Sequence, residues 1–308
     1  MKVLVTTSSF GVADPTPLEL LRSRGLKPVL NPFGRKLTEN EALSLIHEHA
    51  PVGLIAGVEP LTRQLLTAAK DLRVVSRAGI GMDSVDQDAA AELGIAVRNT
   101  PDAPTQAVAE LTLCMILSLL RRVREADASI RCGEWLRPMG NLLAGKNVGL
   151  VGCGRIGLRL SELLAPFGCT ILGTDPCPSE SVCFPLVPLP ELLERAHVVS
   201  LHLPYSRAAH HLIDNEAIGC MRTDAILINT SRGGLVNEDA LGRALRERRI
   251  AGAGIDCFET EPYRGNLADA PNTLLTSHIG SYAQEGRILM ERQAAENLIE
   301  AMEVAGAL

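Results

Sequence analysis

"NVGLVGCGRIG", residues 147 to 157, decides the fold. Its first half is a short apolar run. Its second half carries Gly152, Gly154 and Gly157 ahead of "RIGLRLSELLAPFG", which is patterned as a helix. Strand, G-x-G-x-x-G turn and helix in that order read as a dinucleotide cradle. Gly152 permits the tight turn, Gly154 lets backbone approach a pyrophosphate, and Gly157 lets the helix pack on the strand. The helix opens at Arg155 and points its free amides at the anion. The next strand ends at Asp175, 18 residues past Gly157, where a carboxylate binds ribose hydroxyls. An acid there repels a 2′-phosphate, and the following "PCPSE" offers no arginine, so NAD is expected rather than NADP.

The loop begins almost halfway along a chain of 308 residues. On both sides of it, short β-branched runs alternate with helical patterns, as in α/β folds with parallel sheets. Upstream, "KVLV", "VGLIAG", "RVVSRAG" and "GIAV" read as strands, separated by the helices "LELLRSRG", "TENEALSLIHEH", "LTRQLLTAAK" and "SVDQDAAAELG". From Thr105, a candidate cap, the pattern predicts one long, mostly buried helix to about Ile130. Downstream strands are "NVGLVG", "TILGTD", "HVVSLH", "AILINT", "AGAGID" and "TLLTS", and a final helix runs from Ser281. The expected architecture is α/β, with two Rossmann-like or flavodoxin-like doubly wound domains. An NAD-binding domain, residues 102–281, is inserted into a substrate-binding domain of residues 1–101 and 282–308. Insertion is easy where chain ends lie close at a surface, and a cleft between domains suits a small molecule.

Composition narrows the function. Hydrophobic residues make up 46% of the chain, enough for two packed cores. With 30 basic against 36 acidic side chains, it lacks the basic footprint of a nucleic-acid binder. "MKVLVTTSSF" soon meets Asp14, Pro15 and Pro17, unlike a signal peptide. The longest apolar run, "LTLCMILSLL", is about half a membrane span. The eight cysteines include no CxxC pair, so we expect buried free thiols in a reducing compartment, no metal site and a cytoplasmic protein.

Three stretches at or after predicted strand ends complete the chemistry: "NTSRGGLVNEDAL", "GIDCFETEP" and "TSHIGSY". Arg232 can grip a carboxylate with a two-pronged fork and cannot lose its charge. His278 titrates where both a proton donor and a base are needed at a ketone or alcohol. Glu261, 17 residues earlier, can fix the imidazole tautomer and favour the imidazolium. The remaining histidines carry less: His47 and His49 lie on a charged helix, His202 ends a strand, and His210 and His211 are expected to cover the surface near the adenosine.

The order of these blocks resembles the D-isomer-specific 2-hydroxyacid dehydrogenase family, most closely its 3-phosphoglycerate dehydrogenase branch. The likeness runs through "RAGIGMDSVD", "NTPDAPTQAVAELTL", "LAGKNVGLVGCGRIG", "VVSLHLPYS", "ILINTSRGGLVNEDAL", "AGAGIDCFETEP" and "HIGSY". It implies an NAD-dependent oxidoreductase of D-2-hydroxy acids and a homodimer that the helix from Thr105 helps to form. It further implies catalytic roles for Arg232, Glu261 and His278. Arg155 and Ile156 lie over the pyrophosphate, and Thr230, Asp256, Gly280 and Ser281 line or flank the nicotinamide. The loop Gly79, Ile80 and Gly81 presents backbone to the substrate carboxylate. Arg77 matches an arginine that holds a substrate phosphate, and Arg137 aligns loosely with another. A third such arginine is replaced by Gly57, with Glu59 close by, which points to a substrate with a polar or cationic tail. No regulatory extension is expected after the final helix. The alternatives are an NAD(H)-sensing, corepressor-like interaction protein and a dehydrogenase of a small anion such as phosphite or formate; a glutamine is usual at Glu261 in the formate case.

Overall fold

The computed structural model describes residues 1–306 and 308 and places their strands in two all-parallel sheets. The first sheet contains β1 (Lys2–Val5), β2 (Lys27–Leu30), β3 (Gly53–Ala56), β4 (Val74–Arg77) and β5 (Ala96–Asn99), ordered β2-β1-β3-β4-β5. The second contains β6 (Asn147–Val151), β7 (Thr170–Thr174), β8 (Val198–Leu201), β9 (Ile226–Asn229), β10 (Gly252–Ile255) and β11 (Thr273–Leu275), ordered β11-β10-β9-β8-β6-β7. Each sheet belongs to one compact unit: Met1–Pro104 with Ser281–Leu308, and Thr105–Gly280. The fold is thus α/β with two Rossmann-like units.

In the first unit the alternation of side chains along β1 builds two cores. Val3 and Val5 face the helices Thr16–Ser23 and Gln284–Val304, through Leu18, Leu21, Ala294 and Leu298. Leu4, on the opposite face, joins Leu45, Ile46, Leu65 and Ala89 of the other three helices. A sheet covered on both faces needs near-continuous apolar strands, which is why "KVLV" and "GLIA" show little polar alternation. The closing helix is fixed by a buried hydrogen bond from Ser76 Oγ to the Ala294 carbonyl, 2.7 Å.

Local sequence reading misses β2. Its "KPVL" contains Pro28, which pairs with Val3. This strand lies at the sheet edge, where a missing N–H can face away from the ladder.

The predicted continuous helix from Thr105 is two helices, Thr105–Leu120 and Val123–Arg131. Arg122 takes a left-handed φ of 53° at the break. The Leu120 carbonyl there accepts from Asn141 N at 2.8 Å, so a distant segment takes an acceptor that a continuing helix would use. The thiol expectation also needs correction: Cys153 and Cys257 are buried, but Cys114, Cys132, Cys177, Cys183 and Cys220 are exposed. Among the described residues, no helix is long and apolar enough to cross a membrane.

Candidate active site

The strand order of the second unit reverses at β6 and β8, the position where open α/β sheets bind ligands at their carboxyl edge. The glycine loop follows β6. Gly152 has φ 100°, and a Cβ there would lie 2.7 Å from the His202 carbonyl carbon. A Cβ on Gly157 would lie 2.3 Å from the Gly152 oxygen. Both positions therefore require glycine. Gly154 differs: a Cβ there meets nothing within 4 Å, so its missing side chain leaves an open cradle. It caps the helix Arg155–Leu164 with no side-chain hydrogen bond, so no cap competes with an incoming anion for those amides. Arg155 is exposed and Ile156 half-buried beside it.

Asp175 follows β7. Its carboxylate accepts from Cys153 N at 2.7 Å and Cys177 N at 2.8 Å. It thereby holds a negative charge against the glycine loop, as discrimination against a 2′-phosphate requires. An open backbone cradle, a helix N-terminus and an acid just past the neighbouring strand together fit NAD. The groups packed beneath the loop are neutral at physiological pH. Burial pushes the Cys153 thiol up to about 11 and the His202 imidazole down to about 4. His202 keeps a hydrogen bond to Ser200 Oγ at 2.9 Å.

The three candidate catalytic residues come from loops after adjacent strands. After β9, buried Thr230 meets Thr112 Oγ1 at 2.8 Å. Half-buried Arg232 follows, its Nη1 donating to the Ser231 carbonyl at 2.7 Å. Gly233 lies flat on the next loop: a Cβ there would be 1.9 Å from the Phe258 carbonyl carbon. That loop, after β10, carries Glu261, whose Oε1 accepts from Phe258 N at 3.2 Å. The two Glu261 oxygens lie 3.0 and 3.1 Å from His278 Nδ1. The imidazole is thus oriented through one nitrogen, Nδ1.

His278 itself has φ 56°, an uncommon conformation that the surroundings must enforce. Asp256 does so. It is fully buried, and its carboxylate accepts from Thr276 Oγ1 at 2.6 Å, Ile279 N at 2.8 Å and Gly280 N at 2.8 Å. The Asp256 carbonyl accepts from His278 N, also at 2.8 Å. Sequence reading gave Asp256 only a place near the nicotinamide. This anchoring depends on contacts over 20 to 24 residues that no local pattern encodes. Gly280 belongs to the anchor, since a Cβ there would lie 3.1 Å from Asp256 Oδ2. Ser281 begins the return to the first unit.

In the first unit, the 77–81 loop follows β4. Arg77 is buried and donates to the Ala78 carbonyl. Its guanidinium lies so close over Gly79, φ 141°, that a Cβ there would be 1.6 Å from Nη1. Gly79 N donates to Thr100 Oγ1 at 2.8 Å, and the Ile80 carbonyl accepts from Asn99 Nδ2 at 2.8 Å. Among the described residues, Ile80 and Gly81 keep amides outside these internal bonds.

His211 N donates to the Gly234 carbonyl at 2.8 Å, and its Nε2 lies 2.7 Å from Glu259 Oε1, beside the Arg232 and Glu261 loops.

Comparison with known proteins agrees with this geometry. Residues 113–280 match the family model described as the NAD-binding domain of D-isomer-specific 2-hydroxyacid dehydrogenases. A D-3-phosphoglycerate dehydrogenase of Methanocaldococcus jannaschii is 39% identical over 259 residues, 82% of this chain and 49% of that protein. The chain thus spans about half the length of this relative. A glyoxylate reductase of Thermococcus litoralis is 38% identical over 255 residues, 78% of this chain and 77% of that one. Among solved structures, the TT0316 protein of Thermus thermophilus superposes with a TM-score of 0.91 at 38% identity, covering 99% of this chain and 97% of the other.

Proposed function

The chain belongs to the NAD-dependent D-isomer-specific 2-hydroxyacid dehydrogenase family, and from that premise we propose that it interconverts a small, unphosphorylated 2-oxo acid and its D-2-hydroxy acid. One observation carries the reading: His278 Nδ1 held by both oxygens of Glu261, at 3.0 and 3.1 Å, in a unit that also carries a dinucleotide cradle. NADH bound at that cradle supplies the hydride. In reduction, His278 Nε2 gives its proton to the ketone oxygen as the carbonyl carbon becomes tetrahedral, and Glu261 holds the ring in place through Nδ1. In oxidation the neutral imidazole takes the hydroxyl proton. Arg232 orients the substrate by its permanent charge, and the amides of Ile80 and Gly81 receive the carboxylate. Thr230, Gly280 and Ser281 line the coenzyme site.

An unphosphorylated substrate is supported by Glu59. This carboxylate is 1% exposed and accepts from Gly57 N at 3.0 Å and from Thr6 Oγ1. An ionised group there opposes a second anion, and the glyoxylate reductase relative is named for a small substrate without phosphate.

We also propose a homodimer in the cytoplasm. Leu113, Leu117, Val123 and Ile130 line a groove on the two helices after Thr105, and Trp135 and Met139 nearby are 80% and 88% exposed. A second copy would cover this apolar surface. Exposed free thiols suit a reducing compartment.

The test follows NADH absorbance across a panel of 2-oxo acids, phosphorylated and not. Turnover with small unphosphorylated acids is expected, and His278→Ala should lower kcat by roughly 10²- to 10⁴-fold with NADH affinity retained. Near-normal turnover in that variant would remove His278 from the chemistry. Light scattering in solution giving a monomer mass would remove the dimer.

A further inference from the structure

Beyond the catalytic trio, the loops that carry it share a brace. His211 takes a left-handed φ of 53° and holds the Arg232 loop through its backbone, donating to Gly234 O at 2.8 Å. Its ring faces two further groups: Nδ1 lies 3.3 Å from Asn237 Nδ2, and Nε2 lies 2.7 Å from Glu259 Oε1. The Asn237 amide has no freedom to turn over. Its Oδ1 caps the helix Glu238–Arg246 by accepting from Ala240 N at 2.9 Å, so its NH₂ must face the imidazole. A donor facing Nδ1 makes that nitrogen the acceptor, and the ring proton sits on Nε2, directed at the Glu259 carboxylate.

Glu259 stands two residues before Glu261 in the loop that lies against Gly233. Its own amide donates to Glu238 Oε1 at 2.7 Å, at the start of the helix that Asn237 caps. His210 stacks on His211 at 3.8 Å between ring centroids. His210 Nδ1 lies 3.3 Å from Tyr205 Oη, and the Tyr205 ring packs over Gly234, where a Cβ would be 2.6 Å away. The imidazole is thus fixed on both nitrogens and one face.

We propose that His211 is a positioning residue for the reaction. Its imidazole sets the spacing between the Arg232 loop and the Glu259–Glu261 segment, and hence the alignment of Arg232 with the His278–Glu261 pair. The inference rests on the dehydrogenase reading above. Displacing a reacting group by about 1 Å can cost about 10²-fold in rate from a change remote from the chemistry.

Steady-state kinetics with NADH and the best 2-oxo acid, together with NADH affinity, test it on six variants of the full chain. His211→Ala and Glu259→Ala should each lower kcat/KM for the oxo acid by roughly 10- to 100-fold, with NADH affinity within about twofold of wild type. The double variant should be no worse than either single one, because both remove the same contact. His211→Gln can still donate to Glu259 and should recover to within about threefold of wild type, whereas His211→Asn is too short to reach it and should stay impaired. A role confined to the left-handed backbone predicts the reverse order, since asparagine tolerates that conformation better.

Multiplying effects in the double variant, an asparagine variant better than the glutamine one, or an unimpaired alanine variant would each overturn the brace. Thermal melting identifies any variant that fails to fold, and the glutamine–asparagine order and Glu259→Gln, expected to lower kcat/KM less than Glu259→Ala, then decide. Wild-type protein that turns over no 2-oxo acid would overturn the dehydrogenase reading, and this inference with it. An active wild type with an unimpaired His211→Ala overturns this inference alone.

Discussion

The 77–81 loop of the first unit and the 276–280 loop of the second are each built around one buried charge of opposite sign, and they present different chemistry as a result. Asp256 draws in the amides of Ile279 and Gly280 and the hydroxyl of Thr276. With those donors engaged, the loop offers a side chain, His278, which is 36% exposed. Arg77 cannot engage amides, because a guanidinium only donates. It takes the Ala78 carbonyl instead, and the amides of Ile80 and Gly81 stay outside the internal bonds of the loop. A buried acid thus builds a loop that displays a side chain, and a buried base builds one that displays backbone.

The sharpest way to break this comparison is Asp256→Ala. It strands three donors, each costing about 1–3 kcal/mol if left unpaired. It also frees His278 from a conformation that side chains rarely adopt. We expect the urea midpoint to fall well below that of wild type and turnover to drop at least ~100-fold. Asp256→Asn should fall between, since its amide nitrogen would meet a donor where a carboxylate oxygen stood. A variant as stable and active as wild type would show that the loop is ordered by something else.

The next effect is smaller and confined to the first unit. Gly79→Ala forces a Cβ onto the Arg77 guanidinium and strains a φ of 141°. The cost expected for such a conformation is about 1–3 kcal/mol. If the loop displays its backbone to a carboxylate, KM for the oxo acid should rise about tenfold while NADH affinity holds, as isothermal titration can check. An equal loss of NADH affinity would undo the division of labour between the two loops.

How much of this was legible in the sequence follows from how local each cause is. The glycine loop could be read because each glycine answers a constraint within a few residues or on the neighbouring strand. Arg232, Glu261 and His278 could be read as residue types at strand ends, and the contact expected between Glu261 and His278 is present at 3.0 Å. The edge strand with Pro28, the helix break at Arg122, the Asp256 anchor and the His211 brace were not readable. In each, the decisive partner lies far along the chain: Val3 for Pro28, Asn141 for Leu120, Gly280 for Asp256 and Glu259 for His211. Local pattern yields elements and candidate chemistry, and long-range polar contacts decide how that chemistry is aimed.

A third loop sharpens the contrast, because the glycine loop is packed over neutral groups, with Asp175 supplying its negative charge. Burial lowers the His202 imidazole from an ordinary 6.5 to about 4. Between those values the unfolded chain binds a proton that the folded chain refuses, so stability falls as pH drops through that window and is indifferent to His202 above it. The loss should reach on the order of 3 kcal/mol near pH 4. His202→Gln keeps a polar partner for Ser200 and removes the titration. Subtracting its unfolding free energy from that of wild type across pH should give a curve flat above about pH 7 and falling below 6.5. A difference that stays level to pH 4 would mean that the folded imidazole takes up its proton as the unfolded chain does, and that burial does not hold it neutral beneath the glycine loop.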